Sequence, residues 1–200
     1  MPGPFNQWLN FFTPKAHLKA ASSLYLTIVQ QSREPSFFSD CTVPDTVDGR
    51  FDMIALHCFL VMNRLKDEGA KASKVSQVLF DEMFSDMDRG LRELGVGDMG
   101  VGKRVRAMAK AYLGRVEAYD SAFGEDEGAL DAALDAALVR NLFRGEEVDP
   151  AAVARIGAYM VRECAAIAGQ DVEELLVGKV VFGPAPKIDT PVADGRKMEA

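Results

Sequence analysis

Asp45, Asp48 and Asp52 put three carboxylates within eight residues, with Arg50 among them and His57 about one turn beyond. On a helix Asp48 and Asp52 share a face, and a metal-assisted hydrolase could use such a set. Helix capping and pairing with Arg50 explain Asp45 and Asp48 without catalysis. His17 and His57 are the two histidines of the chain. A lone histidine beside an apolar helix face is more often packed than a base or a ligand. A second candidate is the glycine-rich stretch after Leu94. Gly95, Gly97 and Gly100 have dinucleotide-site spacing, and Gly97, Gly102 and Lys103 fit a phosphate loop up to its lysine. Both motifs need a β-strand feeding the loop. The residues before this one have helical periodicity, and Arg104 stands where a Mg²⁺-binding hydroxyl would be needed. A helix–turn–helix corner is the better reading. Just after it, Lys103, Arg104, Arg106 and Lys110 crowd a helix start, where the macrodipole disfavours cations. That hints at an anionic or acidic contact, against the plainer alternative of a solvated face.

The elements around these groups read as helices. Val75, Val78, Leu79, Met83, Met87, Leu91 and Leu94 recur at spacings of three and four before the turn, and Val101, Val105, Met108, Ala109 and Tyr112 do so after it. Asp98 is placed to cap the second helix. Upstream, Pro14 opens a helix over Leu18, Ala21, Tyr25, Ile28 and Val29 that stops before Pro35. A loop over 33–47 tucks in Phe37 and Phe38. A helix over roughly 46–66, capped by Asp45 and Asp48, then buries Phe51, Ile54, Ala55, Cys58, Phe59, Met62 and Leu65. Residues 66–73 read as a solvated connection and 120–128 as a loop. Leu130, Leu134, Ala137, Leu138 and Leu142 mark another helix. Asp149 and Pro150 start the next, over Val153, Ile156, Met160, Cys164 and Ile167, and Gly169 stops it. A short helix spans 171–177. Only 179–182 has any strand-like alternation. The expected fold is an all-α compact bundle of about six to eight helices, one domain over 1–182, with an extended or disordered tail over 183–200.

Near the N-terminus Phe5, Trp8, Leu9 and Phe12 make a short amphipathic face. It reads either as a foot on a membrane or partner or as a helix folded back on the core.

With 48% hydrophobic residues the chain can build a core, and its net charge of −7 argues against wholesale electrostatic binding to DNA, other nucleic acid or acidic lipid. Residues 1–124 carry 15 charges of each sign, whereas 125–200 carry 8 basic against 15 acidic. Partner contacts should therefore be local patches. Cys41, Cys58 and Cys164 have no metal-type spacing and their number is odd, so a reducing compartment fits. Neither a signal peptide nor a membrane-spanning run is evident. No cofactor or metal is expected.

Two blocks carry a resemblance. The stretches VPDTVDGRFDM and RELGVGDMGVGKR, within 24–65 and 79–123, are similar to the ubiquinol–cytochrome c chaperone family, the assembly factors of the cytochrome bc1 complex. It covers roughly the first 125 residues, with a family-like core over about 15–124 and a looser helical part over 125–182. The resemblance implies a non-enzymatic role. Mitochondrial relatives bind newly made cytochrome b, with a small partner protein, near the ribosomal exit. Without a transit segment, this chain is expected to be a bacterial member, cytoplasmic or peripheral on the cytoplasmic face of the inner membrane.

The family's segments fall on Pro44, Asp45, Asp48, Gly49, Arg50, Phe51 and Asp52, and on Arg92, Glu93, Gly95, Gly97, Asp98, Gly100, Lys103 and Arg104. Those with side chains to offer are the expected partner surface, flanking one groove for the client. Two other readings stay open: a generic helical adaptor for a soluble partner, and a small metal-dependent enzyme using His57 and nearby carboxylates.

Overall fold

The computed structural model describes residues 15–188. The expected foot, Phe5, Trp8, Leu9 and Phe12, lies outside the described residues, as does most of the expected tail. The described residues form eight helices and no strand: α1 Lys15–Ser32, α2 Pro35–Ser39, α3 Val47–Leu65, α4 Gly69–Glu93, α5 Asp98–Phe123, α6 Glu127–Asn141, α7 Pro150–Ala168 and α8 Val172–Leu176. The chain is all-α.

α3 is the axis of the body. Its periodicity predicts one buried face, yet every residue from Phe51 to Val61 is buried, Met53, Leu56 and Leu60 as fully as Cys58. The helix is apolar nearly all round, and such a helix must be enclosed. α1, α4, α5 and α7 all pack on it.

Three connections differ from expectation. The loop over 33–47 contains α2, which Pro35 starts by fixing φ at the first helical position. α2 delivers Phe37 edge-on to His57 and Tyr159, at ring separations of 5.4 and 5.1 Å, while Phe38 packs partly on the core. The turn after α3 is only three residues long, because Gly69 takes φ +88° and α4 begins there, with Ala72 already buried. α5 runs through the expected loop to Phe123, since Tyr119 and Ala122 extend its buried face and Tyr119 and Phe123 both meet Phe59.

The cap-and-breaker signals later in the chain hold. Asp149 accepts from the Ala151 N–H at 2.9 Å, Gly169 follows α7, and Asp171 caps α8. The 179–182 stretch is extended but unpaired as a strand. It continues through Ile188 as a strap over the body. Gly183 N–H donates to Glu163, Gln31 donates to Gly183 O, and Ile188 N–H donates to Asp40.

α4 and α5, at about 1.5 Å per residue, are the long members. Phe84 of α4 meets Phe51 in the first turns of α3 (6.4 Å between rings), so the rest of α4 and the start of α5 run on past the end of α3. From Ser85 to Ala111 only Leu91 and Val101 are buried, and these two stand apart from the contiguous core. Leu94, expected on the buried face, is 63% exposed. The hairpin thus ends in a projecting tip.

Candidate functional site

The first signature segment is folded inward. Thr46, rather than Asp45 or Asp48, caps α3, its side chain accepting from the Gly49 N–H at 3.1 Å. Asp45 pairs instead with Arg50, 2.6 Å apart in solvent, and each holds the other in its charged form. Gly49 sits under the Pro44 carbonyl, where an added Cβ would come 2.0 Å from the oxygen. Only glycine fits there. Phe51 and Asp52, expected on a partner surface, are 3% and 1% exposed and have no face to offer one.

Asp52 is the centre of a buried ionic cluster. Arg115 of α5 donates to one oxygen at 2.7 Å and Arg144, just after α6, to the other at 2.9 Å. Arg115 also donates to the Asn141 carbonyl at 3.0 Å and lies over the Phe51 ring at 5.7 Å. Arg144 reaches Asp48 at 3.4 Å as well. The shared helix face of Asp48 and Asp52 is real, but what it meets is a guanidinium. Burial pushes the Asp52 carboxyl up to about 6, against the downward pull of Arg115 and Arg144. Taking these charges from water costs nearly as much as their attraction returns, so the cluster fixes where α5 and the α6–α7 connection dock more than it adds net stability.

Periodicity and motif spacing alone single out neither arginine. Arg115 carried a signal: it falls in register with Met108, Tyr112 and Tyr119 on the buried side of α5. A cation on such a face needs a buried partner. Arg144 carried none, because only the fold brings a residue so distant in the chain to Asp52.

His57 lies elsewhere on α3, fully buried. Its Nδ1–H donates to the Met53 carbonyl at 2.8 Å, which leaves Nε2 to accept from the Tyr159 hydroxyl, also at 2.8 Å. Gln31 in turn donates to that hydroxyl at 3.1 Å and to the strap at Gly183 O. Both ring nitrogens are used, and burial lowers the His57 pKa to about 4. The imidazole is a neutral joint between α1, α3, α7 and the strap. Among the described residues no three His, Cys, Asp or Glu side chains converge as metal ligands.

The second signature segment is turned outward. Gly95 makes the bend at φ +80°, and Gly97, not Asp98, is the cap residue of α5. Gly100 and Gly102 lie inside α5, and a helix rather than a strand leads into the turn, so neither nucleotide motif has its structural context. Asp98 is the first residue of α5 and pairs across the turn with Arg92, which also holds Asp88 at 2.5 Å. Glu93, Lys103 and Arg104 are exposed. Of the methionines near the two segments, Met53 and Met83 are core and Met99 is 93% exposed.

A cavity of about 630 Å³ opens between α3, α4 and α5. Phe59, Met62, Leu65, Tyr112 and Val116 line it, and the Lys66–Asp120 pair, 3.0 Å apart, stands at its edge. Neither signature segment contributes to it, so it is not the shared groove expected between them.

Comparison with known proteins carries the family likeness past the first 125 residues. The ubiquinol-cytochrome C chaperone family matches residues 39–182. Ubiquinol-cytochrome-c reductase complex assembly factor 1 of Xenopus laevis is 28% identical over 173 residues, covering 85% of this chain and 84% of that one. The human protein of that name is 27% identical over 82% of this chain, which spans 54% of the human length. The crystal structure of the Cbp3 homolog from Brucella abortus superposes with a TM-score of 0.75 at 36% identity, covering 86% of this chain and 92% of that one. This chain belongs to the ubiquinol–cytochrome c chaperone family.

Proposed function

We propose that the protein is a non-enzymatic chaperone that binds newly made cytochrome b and promotes assembly of the cytochrome bc1 complex, acting on the cytoplasmic side of the membrane. The observation that carries the reading is the family match over 39–182, which runs from the end of α2 through α8 to the start of the strap. The chemistry of the body supports it. The histidine an enzyme would need is neutral, buried and bonded at both nitrogens, and the central carboxylate is neutralised by two arginines. The client surface consists of the exposed members of the two segments: Asp45, Asp48 and Arg50 at the start of α3, and Arg92, Glu93, Asp98, Lys103 and Arg104 at the hairpin tip.

A deletion strain tests the function. Loss of bc1 activity and of b- and c1-type haem from its membranes is expected, with other respiratory enzymes intact and the gene restoring both. Normal bc1 content would sink the proposal and favour the adaptor reading. For the surface, a folded Arg50→Glu/Arg104→Glu double variant should lose the client. Unchanged client capture would remove that surface.

A further inference from the structure

The exposed face of α5 carries a pattern that the packing of the body does not use. Met99, Lys103, Arg106, Lys110 and Leu113 follow one another at spacings of three and four, which makes them one stripe along the helix. Val101, Tyr112, Arg115 and Tyr119 are buried on the other side. The stripe is open: its three cations are exposed, Met99 is 93% exposed and Leu113 59%. Among the described residues the ion pairs of α5 run through Asp98, Arg115 and Asp120 and engage none of the three. No acidic residue occurs between Met99 and Val116, on a chain whose net charge is −7. This concentration of unpaired positive charge sits beside the projecting turn, where Leu94 is 63% exposed.

An RNA strand would want aromatic faces to stack on. The aromatic rings of this hairpin are instead turned to packing: Phe80, Phe84 and Tyr112 lie against one another within 6.2 Å, and Tyr119 and Phe123 lie against Phe59. Cations flanked by exposed aliphatic and thioether side chains suit a surface with anionic headgroups above hydrocarbon. Among the described residues no helix is long and apolar enough to cross a membrane, so the contact would be peripheral.

We infer that the α5 stripe and the α4–α5 turn seat the protein on an anionic lipid bilayer, with Lys103, Arg106 and Lys110 over the headgroups and Leu94 and Met99 in the interfacial layer. This does not rest on the assembly role. The test is sedimentation of the full chain with vesicles of phosphatidylcholine, with and without phosphatidylglycerol. Binding is expected only to the phosphatidylglycerol vesicles, and it should fade as salt is raised. At about fivefold per cation near the surface, K103Q/R106Q/K110Q should bind on the order of a hundredfold more weakly. Met99→Ser should weaken binding by a smaller factor, and thermal melts should confirm that both variants fold.

Equal binding to both vesicle types would overturn the inference. So would undiminished binding by the triple variant, which would move the contact to Phe5 and Trp8 or another surface. Capture of RNA or of an acidic polypeptide by the stripe without any vesicle binding would overturn it too. The assay involves no bc1 complex, so a deletion strain with normal bc1 would refute the assembly role and leave this inference standing.

Discussion

The two segments that carry the family resemblance are alike in sequence character, both dense in charge and both containing glycine, and opposite in physical use. In the segment around Asp52 the charges are consumed internally and the glycine is enforced by a backbone oxygen. At the α4–α5 turn the charges face solvent, and Gly97 has nothing within 4 Å of where a Cβ would be. A shared motif density therefore does not mean a shared role. One segment builds the body and the other is presented by it. Substitutions should separate the two by how much stability they remove.

The largest loss is expected at Asp52. Asp52→Ala leaves Arg115 buried with its counter-ion gone, and stranding one member of a buried pair costs about 3–5 kcal/mol. Denaturant melts should show it as a lower midpoint. A loss no larger than that of a surface variant would mean that the cluster is hydrated in solution and would collapse the contrast between the segments.

Glycines give a second contrast, somewhat smaller. Gly49→Ala must push α3 away from the Pro44 carbonyl, an overpacking expected to cost about 3 kcal/mol. Gly90→Ala, in α4 near the tip, has open space and a helical backbone, so it should stabilise by about 0.5–1 kcal/mol. Opposite signs of midpoint shift check the pair.

Within the body, acid should reveal two opposed contributions. His57 has a folded pKa of about 4 against about 6.5 unfolded. Below 6.5 the unfolded chain binds a proton that the folded chain refuses, so stability falls as pH drops from 6.5 towards 4, by about 3 kcal/mol. Asp52 has a folded pKa of about 6 against about 3.9 unfolded. Its contribution is fully present below 3.9 and is lost as pH rises towards 6, again by about 3 kcal/mol. Over pH 4–6 the two nearly offset. His57→Gln should unmask stability that decreases with rising pH, and Asp52→Asn stability that decreases with falling pH. Melts across this range that leave both variants as flat as the parent would refute the assignment.

The sequence disclosed the local parts of this picture better than the assembled ones. Asp149 with Pro150, Gly169 and Asp171 mark helix ends through capping chemistry that acts within a few residues, and the structure places those ends there. The first cap of α3 was harder, since Asp45, Thr46 and Asp48 are all able to cap and only the backbone geometry selects Thr46. α2 is five residues long, too short for periodicity to register. The enclosure of α3 could be suspected from its apolar circumference. The roles of Asp52 and His57 could not, because their partners Arg115, Arg144 and Tyr159 are brought to them only by the packing of α5, α6 and α7.

The smallest effect is expected at the tip, and it tests the comparison from the other side. Arg92 joins Asp88 to Asp98 across the turn, but its side chain is 41% exposed and that of Asp98 is 88% exposed. Pairs so open to water gain little from their attraction and lose side-chain entropy in making it. Arg92→Ala should therefore shift Tm by no more than about 2 °C. Hydrogen exchange should show where the loosening goes. Amides near Leu94 and Val101 should open locally and faster than in the parent, while those from Met53 to Leu60 keep exchanging only through global unfolding. If the α3 amides also lost protection, the tip would be coupled to the core rather than carried by it, and the division between the building segment and the presented one would fail.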